Sequence, residues 1–147
     1  MPVVAAPVHL RSKDALLFQP LTLGFVVRDN GEITQADAPR KFIAGPDEIV
    51  TWVVGNASDD PITVSLLLFL RKKKHNDNTG DTGDEIRPFI WLGTNAVTLA
   101  AKQTGIIAGR RDPDYPMRDF HDFLSYTIRV DGPFGVIDYD PDGEIKP

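Results

Sequence analysis

The clearest pattern in the chain lies in its last quarter. Leu124, Tyr126, Ile128 and Val130 alternate with Ser125, Thr127 and Arg129, the period of two that marks a half-buried strand. The run ends at the turn signal Asp131-Gly132-Pro133, and a second short strand follows from Gly135. The same reading upstream predicts a succession of short strands. Leu21 to Arg28 is one, and Asn30-Gly31 separates it from a return over Glu32 to Thr34. Asn-Gly between apolar runs is the strongest short hairpin signal, because both residues tolerate positive φ. Glu48 to Val54 is another strand, with Trp52 near its centre, and the dense turn Gly55 to Pro61 leads to the best one, Ile62 to Arg71. There Ile62, Val64, Leu66, Leu68 and Leu70 share one face, while Leu67 and Phe69 make the other apolar too. A strand apolar on both faces is expected to be central or covered.

Residues 72–85 are polar and Gly-rich and predict a long mobile hairpin loop. Ile86 to Leu92, Ala96 to Ala100 and Gly105 to Gly109 read as further strands, Arg110 to Pro116 as an irregular connection, and Met117 to Phe123 as one helical turn. Val3 to Leu10 is β-prone but interrupted by Pro7, which cannot donate to a ladder, so it predicts an edge strand. About eight to ten strands with turns every eight to twelve residues is the sandwich pattern. The expectation is an all-β chain: a single antiparallel β-sandwich domain over residues 1–147, with at most one or two short helical turns. A small barrel is the alternative.

Composition narrows the class. Twelve Gly and twelve Pro in 147 residues suit many turns and disfavour long helices. The net charge of −5 argues against a nucleic-acid partner. There is no Cys, so no disulfide, thiolate metal site or Cys nucleophile is available. The N-terminal residues lack a basic region followed by a long apolar run, and the longest apolar run, Leu66 to Leu70, is far too short to span a bilayer. A cytoplasmic protein without membrane partners is the resulting expectation. Asn56-Ala57-Ser58 matches the glycosylation acceptor pattern and reads as a chance match.

Three segments together resemble the cupredoxin-like and immunoglobulin-like β-sandwiches: Glu48 to Trp52, Pro61 to Ser65, and Leu124 to Val130 with Asp140-Pro141-Asp142. The resemblance implies a Greek-key sandwich. A blue-copper site needs two His, a Cys thiolate and usually a Met, whereas this chain offers only His9, His75, His121 and Met117 toward that set. What the resemblance implies is therefore the scaffold, and a scaffold does not carry a function with it.

Several residues could carry chemistry. Asp138, Asp140 and Asp142, followed by Gly143, match the first half of a calcium loop, where alternation converges carboxylates and the Gly permits a sharp turn. The alternative is a solvated turn; no cofactor other than calcium is implied. Asp77, Asp81, Asp84 and Glu85 in the polar loop could hold a cation or form a solvated hairpin tip. Lys72, Lys73 and Lys74, and Arg110 with Arg111, are basic spots for partner contact, or guards against edge-to-edge pairing. His121 between Asp119 and Asp122 has the setting of a general base, but no nucleophile motif accompanies it. Trp52, Trp91, Phe69, Phe89 and Tyr126 read as core. The leading expectation is a non-catalytic binding or assembly module acting through protein–protein contacts, with another protein or a second copy as partner. A calcium-stabilised module, and a hydrolase or isomerase centred on His121, are the alternatives.

Overall fold

The computed structural model describes residues 21–34, 42–72, 82–117 and 121–147. Among these, twelve strands form two sheets packed face to face, and no helix occurs. The first five are β1 (Leu21–Val27), β2 (Ile33–Thr34), β3 (Phe42–Ala44), β4 (Ile49–Asn56) and β5 (Ile62–Lys72). Then come β6 (Thr82–Glu85), β7 (Phe89–Trp91), β8 (Ala96–Leu99), β9 (Thr104–Arg111), β10 (Asp122–Gly132), β11 (Gly135–Tyr139) and β12 (Asp142–Ile145). One sheet has the order β2-β1-β4-β9-β7; the other has the order β3-β12-β10-β5-β6, with β11 on β10 and β8 on β5.

The sandwich and most of its predicted strands are present, with two departures. First, the pairing is mixed: β1 runs parallel to β4, and β3 parallel to β12. Second, the alternation in β5 breaks. Ile62, Val64 and Leu66 are buried as expected, but Leu68 is 45% exposed and Phe69 is buried instead. Leu68 sits at φ 52°, and the three-residue step from Leu67 to Leu70 faces the two-residue step from Thr127 to Ser125. This is a β-bulge: one extra residue on one strand reverses the inward and outward sides beyond it. The residues after it therefore do not follow the parity set by Ile62.

The turn at Asn30-Gly31 does close a hairpin, pairing Val26 with Thr34 and Val27 with Ile33. Only Gly31 takes positive φ, 84°, so the connection is a longer loop rather than a two-residue turn. The predicted 72–85 loop is shorter at both ends, because Lys72 belongs to β5 and residues 82–85 form β6. The rest of that loop, with Lys73, Lys74, His75, Asp77 and Asp81, lies outside the described residues, as do Val3 to Leu10, His9 and Asp119. The helical turn expected from Met117 to Phe123 is not formed at its C-terminal end, where Asp122 and Phe123 already belong to β10.

The core between the sheets centres on Trp52. Its ring lies 5.7–5.9 Å from those of Phe42, Phe89, Trp91 and Tyr126, and its Nε1 donates to the Tyr126 hydroxyl at 3.0 Å. Phe69 stacks on Tyr126 at 5.2 Å, which the bulge makes possible by turning Phe69 inward. Four of the five aromatics read as core are buried; Trp91 is half-buried and lies at the rim.

The turn after β4 is held by one side chain. Asn56 Nδ2 donates to the carbonyls of Asp60, Leu99 and Ala100 at 2.8–3.3 Å, and its Oδ1 accepts from the Ser58 amide and hydroxyl. With Asn56 2% exposed, the acceptor motif has no free amide to offer. Asn56→Ala is expected to lower stability by about 1–3 kcal/mol, since it strands several buried carbonyls. Urea unfolding checks this, and a midpoint matching wild type would show that water replaces the amide.

Candidate functional site

Two features stand out once the sheets are in place: a groove on the flank and a cluster of charges at one end. The groove arises from how the outer edge of β5 is covered. β8 pairs with Ile62 to Ser65, and β6 with Leu70 and Lys72, which leaves the bulge between them uncovered by a strand. At one border the Leu66 amide donates to the Asn95 carbonyl at 2.9 Å, and Asn95 Nδ2 donates to the Leu66 carbonyl at 2.8 Å. At the other, the Ile86 amide donates to the Phe69 carbonyl at 2.8 Å. The chain crosses to the other sheet through Ile86–Pro88 and returns after Trp91, so both crossovers wall the opening. The result is a groove of about 330 Å³, floored by the bulge residues and flanked by Pro88, Phe89 and Trp91. Its size suits one or two side chains rather than a large cofactor.

The charged end lies where β5 and β9 finish and β10 begins. Arg71 Nη2 donates to the Tyr115 hydroxyl at 2.6 Å and lies 3.1 Å from Asp122 Oδ2, and Tyr115 in turn donates to Asp122 at 3.2 Å. The guanidiniums of Arg71 and Arg111 sit 5.8 and 5.6 Å from the Tyr115 ring centroid. Asp122 is 0% exposed and Arg111 1%. Burial pulls the Arg71 pKa down, but the Tyr115 bond and the Asp122 charge outweigh it, so it ends above its ordinary value. Arg111, whose burial is not outweighed, lies below its ordinary value. Burial, then the Asp122 charge, pushes the Tyr115 phenol up.

The sign of the Tyr115 shift has a measurable consequence. A phenol that holds its proton more tightly when folded contributes stability below its unfolded pKa of about 10 and loses it as pH rises through the higher folded value. Tyr115→Phe is expected to flatten the loss of stability above pH ~10 and to lower stability near neutrality by about 1–2 kcal/mol. Denaturation curves between neutral and alkaline pH test this; parallel pH profiles for the two proteins would refute it.

The residues singled out in the sequence have diverse fates. Lys72, read as a basic spot for partner contact or as an edge guard, is buried and pairs with Asp142 at 3.0 Å. Arg111 is buried too, on the inward side of β9, whereas its neighbour Arg110 faces outward and meets Asp47 at 3.0 Å. The three aspartates of the calcium motif are not brought together. Asp138 is gripped by Arg129 at 2.8 and 3.0 Å, Asp140 accepts from Thr127 at 2.9 Å, and Asp142 takes Lys72. Among the described residues no three acidic or His side chains form a metal cluster. The Arg129 bond holds Asp138 below its ordinary pKa. Gly143 makes no sharp turn but lies in β12, where an added Cβ would meet the Phe42 ring at 2.5 Å. His121 Nδ1 bonds Glu144, giving it the carboxylate neighbour expected of a base. It does not line the flank groove, however. Sequence reading missed the groove altogether, because it depends on the bulge.

No family model matches the chain, and no curated protein matches it. Solved structures do. The periplasmic chaperone SfaE superposes with a TM-score of 0.57 at 11% identity, over 74% of this chain and 54% of its own. The fold is an all-β, two-sheet sandwich similar to that of this chaperone. The CsuC–CsuE chaperone–tip adhesion subunit complex of Acinetobacter baumannii gives 0.55 at 10% identity, over 74% and 50% of the two chains. The Escherichia coli chaperone DraB gives 0.53 at 13% identity, over 86% and 58%. The chain thus spans about half the length of these similarly folded chains. At such identities the likeness concerns the fold. No helix among the described residues is long and apolar enough to cross a membrane.

Proposed function

We propose that the chain is a non-catalytic protein-binding module that receives an apolar segment of a partner in the groove beside β5. The observation that carries this is the uncovered bulge, with Leu68 45% exposed at its lip. A left-handed Leu that turns its side chain to solvent costs about 1–2 kcal/mol, a strain that binding could justify. Edge strands and sheet flanks are common places for extended segments to dock. The kind of fold supports the reading: two similarly folded chaperones are seen with protein ligands, one with a tip adhesion subunit and one with a pilin. A cupredoxin-like scaffold would lead to the same place, because without Cys its role would again rest on surfaces. A second copy of this chain is the alternative partner.

Selection of random heptapeptides on the immobilised chain tests the proposal. Selected peptides are expected to shift the NMR resonances of Leu66–Phe69, Ile86 and Trp91, and to bind Leu68→Asp at least about tenfold more weakly, a loss of about 1.4 kcal/mol. Val136→Asp, on the exposed edge strand β11, should bind as wild type does. Peptides that bind Leu68→Asp undiminished would overturn the groove as the site. A dimer whose formation those peptides block would identify the second copy as the natural occupant.

A further inference from the structure

The charged end contains a cation with too few partners. Arg111 is 1% exposed, and among the described residues its guanidinium makes one hydrogen bond, from Nη2 to the Met117 sulfur at 3.2 Å. A thioether is a weak acceptor. Its Nε and Nη1 are buried without a hydrogen-bond partner, and so is Arg71 Nε. Among the described residues the fully buried carboxylate nearby, Asp122, meets Arg71 and Tyr115 through its Oδ2. Two guanidiniums thus flank one phenol; Asp122 is bonded to Arg71, and Arg111 has only the more distant charges of Asp112, Asp122 and Asp47. Arg keeps its proton inside proteins, so it cannot escape burial by neutralising. A buried cation in this position calls for an acceptor of opposite charge.

We propose that Arg111, with Arg71, binds an oxyanion at this end of the sandwich, seated against Tyr115 and Met117. The guanidinium suits the oxygens of a phosphate or a carboxylate, and bonds between ionised partners are the strong ones in a dry setting. The source is either a free inorganic oxyanion or a carboxylate carried by a polypeptide. This site is independent of the groove: it is built from the ends of β5, β9 and β10 and stands whether or not the bulge receives a partner.

Thermal unfolding of the full chain near neutral pH distinguishes the sources. The probes are sodium phosphate against sodium chloride at equal ionic strength, and acetyl-dialanine against its C-terminal amide. A ligand bound only by the folded state is expected to raise the midpoint saturably, by about 5–10 °C at a hundredfold excess over Kd. Arg111→Gln should abolish the rise, while Arg129→Gln, an exposed arginine paired with Asp138, should keep it. A response to phosphate alone identifies a free oxyanion; a response to the acid but not the amide identifies a carboxylate on a polypeptide. Absence of a saturable response to both overturns the proposal. Should Arg111→Gln fail to fold, wild type is titrated with the same probes by NMR. Shifts centred on the Tyr115 ring and Met117 methyl uphold the site, and shifts confined elsewhere refute it.

Discussion

Trp52→Ala is expected to remove about 3–5 kcal/mol of stability. The indole is fully buried and touches the rings of Phe42, Phe89, Trp91 and Tyr126. These come from both sheets, so the cavity would open at the seam of the sandwich rather than within one layer. Relaxation cannot fill it cheaply, because the surrounding backbone is fixed by ladders on either side. The substitution also removes the donor to the Tyr126 hydroxyl, leaving a buried phenol without that bond. Against a typical total of about 5–15 kcal/mol, such a loss is decisive. Trp52→Phe keeps most of the ring volume and should cost clearly less. Urea unfolding of both variants reads the difference, and a Trp52→Ala midpoint within a few degrees of wild type by calorimetry would show that the core repacks.

Asp122→Ala should be comparably damaging, by about 3–5 kcal/mol, for an electrostatic reason. The carboxylate is the counter-charge of Arg71 and accepts the Tyr115 hydroxyl. Without it, Arg71 and Arg111 confront each other across Tyr115 with no buried anion between them. Removing one member of a buried pair is worse than never having the pair, because the survivor remains desolvated. Asp122→Asn keeps the shape and part of the hydrogen bonding, so it should fall between alanine and wild type. The comparison isolates charge from packing. Equal losses for Asn and Ala would assign the effect to charge alone, and a negligible loss for Ala would show that water reaches the arginines.

Much of this architecture can be read in the sequence where period-two alternation is uninterrupted. Leu124, Tyr126, Ile128 and Val130 are all fully buried, as their spacing implies. The same rule, carried two residues upstream, places Asp122 on the inward face, and carried from Ile107 through Gly109 it places Arg111 there too. The charged end was therefore within reach of the pattern; it was obscured because charged residues are ordinarily read as ending a strand. The bulge is different. Nothing in Leu66-Leu67-Leu68-Phe69 distinguishes which of four apolar residues is extruded, so the groove depends on pairing with β10 that only three dimensions supply. How the aspartates of the calcium motif are placed likewise depends on pairing. Asp138 lies in β11, Asp140 in the connection and Asp142 at the start of β12, and Arg129, Thr127 and Lys72 each take one of them.

The parallel pairing of β3 with β12 has a consequence for biosynthesis. Phe42 lies beside Gly143, and Ala44 beside Ile145, so two short segments about a hundred positions apart in the chain are mutual neighbours. As a nascent polypeptide leaves the ribosome, Phe42 must wait for nearly the whole sequence before its final packing surface exists. Until residues 122–132 have been made, β5 meanwhile presents the edge that β10 will cover to other newly made chains. Closing such distant pairs is slow, and exposed edges in the interval invite aggregation. A chaperone or a bound partner that shields β5 during this interval would act on yield rather than on final stability, and its benefit would be greatest when translation is slow.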